Sequence, residues 1–180
     1  THPPLARLLV RASISAFGHD GPGGWDVAAR LPSALLGTLA IPFIFRCCRR
    51  LAGGDDVVGL LAAAFFATGP FGVYYSQEAR YYGGVVLFSA WSTHGAILLA
   101  EAPRSLRRQT YLFAGLVLGL LNHHLFAVVW LTSGLWVLRA LVRDPRRAWP
   151  AMAPWVLPWL WNLLLTGTVY LSMYGDAIVD

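Results

Sequence analysis

Apolar residues fill this chain in blocks of helix-spanning length, and each block stops at a short polar or glycine-rich stretch. Residues 27–45, 57–75 and 81–100 each carry enough consecutive apolar side chains to cross a bilayer as one helix. Gly69-Pro70 breaks the second block near its end. Ahead of them, residues 1–17 repeat Leu5, Leu8, Leu9, Ala12 and Ala16 at helical spacing, with Arg7 and Arg11 on another side. That pattern predicts an amphipathic helix lying in the membrane interface. Four glycines and Pro22 then make a loop of residues 18–24. The pattern therefore predicts an all-α, polytopic transmembrane bundle with an N-terminal interfacial helix.

The block at residues 111–138 holds Asn122, His123 and His124 at its centre, and an arginine cluster flanks it on each side. As one span it would put those clusters on opposite faces of the membrane. Folded at 122–124 into two short helices, it puts both on one face, which the positive-inside rule favours. Each arm then reaches roughly 20 Å, short of the ~30 Å hydrocarbon core, so the turn is expected to be recessed in a cavity. A last block, residues 149–165, carries Pro150, Pro154 and Pro158. The expected organisation is one transmembrane domain over 1–180. It comprises an interfacial helix and outer loop (1–26), about six passages (27–168), and an outer loop or cut end (169–180). Thr1 is not a Met and follows no signal peptide, so the chain is expected to be a fragment of a longer protein.

Composition agrees: of 180 residues, 57% are hydrophobic and only 13% charged, about half the charged share of a soluble domain. All 14 basic residues are arginine, and the net charge is +5. The arginines sit in clusters between apolar blocks and form no basic face or recognition motif, which argues against nucleic acid as a partner. With clusters 46–50, 104–108 and 139–147 inside, only Arg7, Arg11, Arg30 and Arg80 lie outside. The adjacent Cys47 and Cys48 read as a reduced pair at a helix end, with lipidation as the alternative.

The chemistry is sparse. Glu78 is the one acidic residue in the connector 76–80, and Arg80 lies two residues on, between Tyr74-Tyr75 and Tyr81-Tyr82. A carboxylate and a guanidinium held at the membrane face suit a pocket that takes a phosphate; the alternative is a local ion pair reaching water. His123 and His124 could ligate a haem, but His94 lies roughly 20 Å deeper, so their depths disagree. His94 reads instead as a helix-packing hydrogen-bond group. No metal motif is present; the cofactor is left open, a divalent ion included. A transporter or channel subunit is the alternative from another class, although no acidic residue lies inside a span.

Three strings in this order, His2-Pro3-Pro4-Leu5, the run from Arg30 through Leu31-Pro32-Ser33 to Gly37, and the run from Tyr74 through Gln77-Glu78-Ala79-Arg80 to Tyr82, resemble the polyprenyl-phosphate-dependent glycosyltransferases of the GT-C superfamily. The nearest group is the bacterial branch of glycosyltransferase family 39, the protein O-mannosyltransferase and aminoarabinose-transferase-like enzymes. Asn122 through Ala127 resembles a His-aromatic turn of that branch, with His124 at the matching position. The resemblance implies a multi-pass enzyme of the bacterial plasma (inner) membrane. Its partners are membrane lipids, a polyprenyl-phosphate sugar lipid as donor, and a protein, lipid or glycan acceptor outside the cytoplasm. It implies Glu78 as a catalytic carboxylate, His2 and Arg80 beside the donor phosphate, and Tyr75, Gln77, Tyr81 and His124 around the pocket. It also implies that the chain is a fragment without the family's first outer loop and its main carboxylate.

Overall fold

The computed structural model describes residues 4–18, 23–78, 80–123, 126–143, 145–148 and 152–157, together with Leu160 and Leu164. These residues are predominantly helical and contain no strand. The helices are α1 (Pro4–Phe17), α2 (Gly24–Leu51), α3 (Asp56–Thr68), α4 (Pro70–Gln77), α5 (Tyr82–Glu101), α6 (Leu106–Asn122), α7 (Phe126–Arg143) and the single turn α8 (Pro145–Ala148). His2, Ala79, His124 and most of residues 149–180 lie outside the described residues. So do the calls made there, including about half of the last expected span, residues 149–165.

Helices α2 and α5 are each long and apolar enough to cross a membrane, and α3 with α4 would make a third such span bent by 53°. Their apolar exteriors fit lipid: Phe65 is 81% exposed and Phe71 70%. Gly69 sits at the bend, and Pro70 opens α4, where its missing N–H costs nothing. Helix α2 has 28 residues, roughly 42 Å at 1.5 Å each, and begins three residues before the expected span. It also extends through Arg46, Arg49 and Arg50, because cations are favoured at a helix C-terminus. It stops where Gly53 and Gly54 turn to positive φ.

Helix α5 forms the centre. Its buried positions include Gly83, Gly84, Leu87, Phe88, His94, Ala96 and Leu99, and α2, α6 and α7 all pack on it. Small residues allow the close approach: a Cβ at Gly95 would lie 3.1 Å from the Leu112 backbone. The core joins Ala40 to Leu87, Phe88, Leu99, Leu112, Leu116, Leu120 and Phe126. His94 makes the helix-packing bond expected of it, 3.1 Å from the Tyr111 hydroxyl.

Helices α6 and α7 run antiparallel, turning back at His123. Both lie against α5 more than against each other. Their far ends meet again where Arg104 donates to the Arg146 carbonyl at 3.3 Å. Nearby, Glu101 binds Arg50 at 2.6 Å and Arg108 at 3.2 Å. The arginine clusters of α2, α6 and α7–α8 thus share one end of the bundle.

Helix α1 packs through only part of its apolar stripe, with Leu5 against the core. Leu8 and Ala12 stay exposed, whereas Ser13 is buried and donates to the Ala28 carbonyl at 2.6 Å. Pro32 explains this contact. Ala28 is four residues before it, and a proline has no N–H to give the carbonyl its usual helical partner. The Ser13 hydroxyl fills that place.

Candidate functional site

At the end of the bundle opposite the arginine clusters, roughly 30 Å away along the 20 residues of α5, the connector from α4 to α5 meets the start of α2. Between them opens a cleft of about 380 Å³, lined among the described residues by Asp26, Arg30, Tyr74, Gln77, Glu78 and Arg80.

Two elements supply these groups. Asp26 and Arg30 stand four residues apart on the first turns of α2, so they share a face. The same face continues at 3.5-residue spacing through Ser33, Gly37 and Ala40, which are all buried. Its upper end lines the cleft and its lower end enters the core. The other element is α4 with the connector. Gln77 ends the helix, and Glu78 follows in extended backbone at φ −73° and ψ 134°. The Arg80 N–H then donates to the Glu78 carbonyl at 2.7 Å. This tight reversal brings the Arg80 backbone back to that of Glu78, and both side chains line one cleft.

The charges balance, two carboxylates against two guanidinium groups. A phosphate would find two planar donor forks. The carboxylates Asp26 and Glu78 are the groups that could face a cation or accept a proton. Among the described residues no cluster of three or more metal-ligating side chains is gathered.

Glu78, Arg80 and Gln77, all expected at the site, do line this cleft. Tyr75 and Tyr81 instead stand in an aromatic chain. Tyr75 meets Tyr74 and Tyr82 at 5.2 and 4.7 Å, Tyr82 meets Tyr81 at 4.5 Å, and Tyr81 stacks on His123 at 3.8 Å. The Tyr81 hydroxyl donates to the Tyr82 hydroxyl at 3.4 Å. His2 and His124 lie outside the described residues. Asp26, Arg30 and Tyr74 escaped the sequence reading of the site. The signal for the first two was an acid four residues before an arginine, hidden by placing Asp26 in a loop.

Turn 122–123 is held from inside. Asn122 is 1% exposed, and its side-chain amide donates to the Tyr81 carbonyl at 2.9 Å.

A family model described as dolichyl-phosphate-mannose-protein mannosyltransferase matches residues 1–166. No curated protein matches the chain, and no solved structure does.

Proposed function

The chain belongs to the dolichyl-phosphate-mannose-protein mannosyltransferase family, a family of GT-C membrane glycosyltransferases, and we propose that its cleft takes the sugar–phosphate end of a polyprenyl-phosphate donor. The observation that carries this reading is the pairing of Glu78 with Arg30 and Arg80 in one cleft at the helix ends. A doubly substituted phosphate has one negative charge, which Arg30 and Arg80 neutralise while Glu78 faces the sugar and acceptor.

The acceptor hydroxyl oxygen attacks the anomeric carbon and forms the new glycosidic bond. The bond from that carbon to the phosphate oxygen breaks, and the polyprenyl phosphate leaves with the electron pair. The hydroxyl proton passes to a carboxylate, Glu78 in this reading. The two guanidinium groups stabilise the charge that gathers on the departing phosphate. A phosphate is already a good leaving group, so the general acid that a glycosidase needs is dispensable here. His2 is assigned to the donor phosphate and His124 to the pocket wall on the motif resemblance.

The arginine-rich end faces the cytoplasm in this reading, by the positive-inside rule, and the cleft opens on the outer side of a bacterial plasma membrane. The transporter reading has no comparable support, since the family is one of transferases.

The test is transfer of sugar from a polyprenyl-phosphate-linked donor by the full-length enzyme in vesicles. Hydrogen bonds to charged groups contribute about 1.5–3 kcal/mol. Glu78→Gln and Arg80→Ala should each therefore slow transfer about ten- to a hundredfold without loss of membrane insertion. Wild-type rates in both variants would remove the assignment.

A further inference from the structure

The connector that carries Glu78 and Arg80 is bound on both sides by buried side chains from other helices. Before it, the Ser33 hydroxyl on α2 donates to the Tyr75 carbonyl at 3.2 Å. After it, Asn122 at the end of α6 donates to the Tyr81 carbonyl at 2.9 Å. Ser33 is 3% exposed and Asn122 1%. Neither lines the cleft.

Each contact is reinforced by backbone packing that glycine permits. The Ser33 carbonyl presses on Gly83, and the Asn122 side chain presses on Gly84, so that a Cβ at either glycine would collide. A Cβ at Gly37, one turn beyond Ser33, would lie 2.8 Å from the Ser76 Cβ. The His123 ring stacks on Tyr81 at 3.8 Å with the planes 23° apart.

Asn122 also bears a cost. Its Oδ1 is buried with no hydrogen-bond partner, and such an oxygen disfavours the folded state. An apolar side chain of similar size would avoid that cost. The amide is accounted for by what its nitrogen does at Tyr81.

We propose that Ser33 and Asn122 are positioning residues, which hold the Glu78–Arg80 connector over Arg30 by clamping the Tyr75 and Tyr81 carbonyls. The inference rests on the reading of the cleft as the transfer site. Ser33 follows Arg30 by three residues on the same helix face, so the clamp fixes the spacing of Arg30 to the connector. Transfer requires its groups to be set to within fractions of an ångström, and a free connector would lose that setting while keeping its chemistry.

The experiment uses the full-length enzyme in vesicles with a polyprenyl-phosphate-linked sugar. It reads kcat, donor KM and thermal unfolding for Ser33→Ala, Ser33→Thr, Asn122→Leu and Glu78→Gln. Asn122→Leu should unfold at or above the wild-type temperature yet lose about tenfold or more in kcat. Ser33→Ala should lose kcat more than it raises KM, and Ser33→Thr, which keeps the hydroxyl, should recover most of the loss. Wild-type kcat in both Asn122→Leu and Ser33→Ala, with Glu78→Gln inactive, overturns the clamp and leaves the cleft assignment standing. Activity that falls only in step with unfolding temperature also overturns it. A fully active Glu78→Gln overturns the cleft assignment itself.

Discussion

The Ser13 hydroxyl occupies the hydrogen-bonding place on the Ala28 carbonyl that Pro32 leaves empty, at 2.6 Å. Proline in a helix interior usually weakens it. Here the vacancy is the docking point for α1. Ser13→Ala should lower stability by about 1 kcal/mol, the usual net contribution of one hydrogen bond. In a Pro32→Ala background the helix N–H returns to Ala28, and Ser13→Ala should then cost little. A double-mutant cycle on thermal unfolding in detergent measures the coupling, which should be of order 0.5–1.5 kcal/mol.

Arg30 and Arg80 should both be needed to hold the donor phosphate. Arg30→Ala should weaken binding of a polyprenyl phosphate to the full-length enzyme about tenfold or more. Arg30→Lys should restore only part of it, because an ammonium cannot bind a phosphate with a planar fork. A titration with fluorescent polyprenyl phosphate checks both, and full affinity in Arg30→Ala would separate this residue from the phosphate.

Gly83→Ala should destabilise the protein by about 1–3 kcal/mol, the usual cost of overpacking, because the new methyl group meets the Ser33 carbonyl. Leu135→Ala is the control. Leu135 is 63% exposed on α7 and should face lipid, so its loss should leave unfolding in detergent nearly unchanged.

Topology can be read by labelling single cysteines from outside, after Cys47 and Cys48 are replaced. Gln77→Cys should react with a membrane-impermeant thiol reagent, and Ser105→Cys should not. The reverse pattern would invert the proposed orientation.

Much of the bundle was legible because its signals are local. The bend at Gly69-Pro70 follows from two adjacent residues. The antiparallel return of α6 and α7 follows from arginine clusters on both sides of one apolar block. Glu78 and Arg80 stood out because each is an ion in an apolar setting. The partners of Asn122 and Ser33 were not legible, since their bonds join residues 41 and 42 positions apart. Periodicity reports which face a residue takes and says nothing of what it meets. Helix α1 makes the same point. Its apolar stripe was visible, but the buried Ser13 makes sense only beside the proline of another helix. Asp26 was passed over because α2 begins earlier than its apolar run.

The ion pairs joining Arg50, Glu101 and Arg108 are partly exposed, with side chains 41%, 45% and 31% accessible. Dissolved salt weakens such pairs. The neutral contacts at Tyr75 and Tyr81 are indifferent to it. The molecule therefore has one fastening that ionic strength can loosen and another that it cannot. Buffer composition alone gives an experimenter a handle on the arginine-rich end that leaves the hydrogen bonds at Tyr75 and Tyr81 in place.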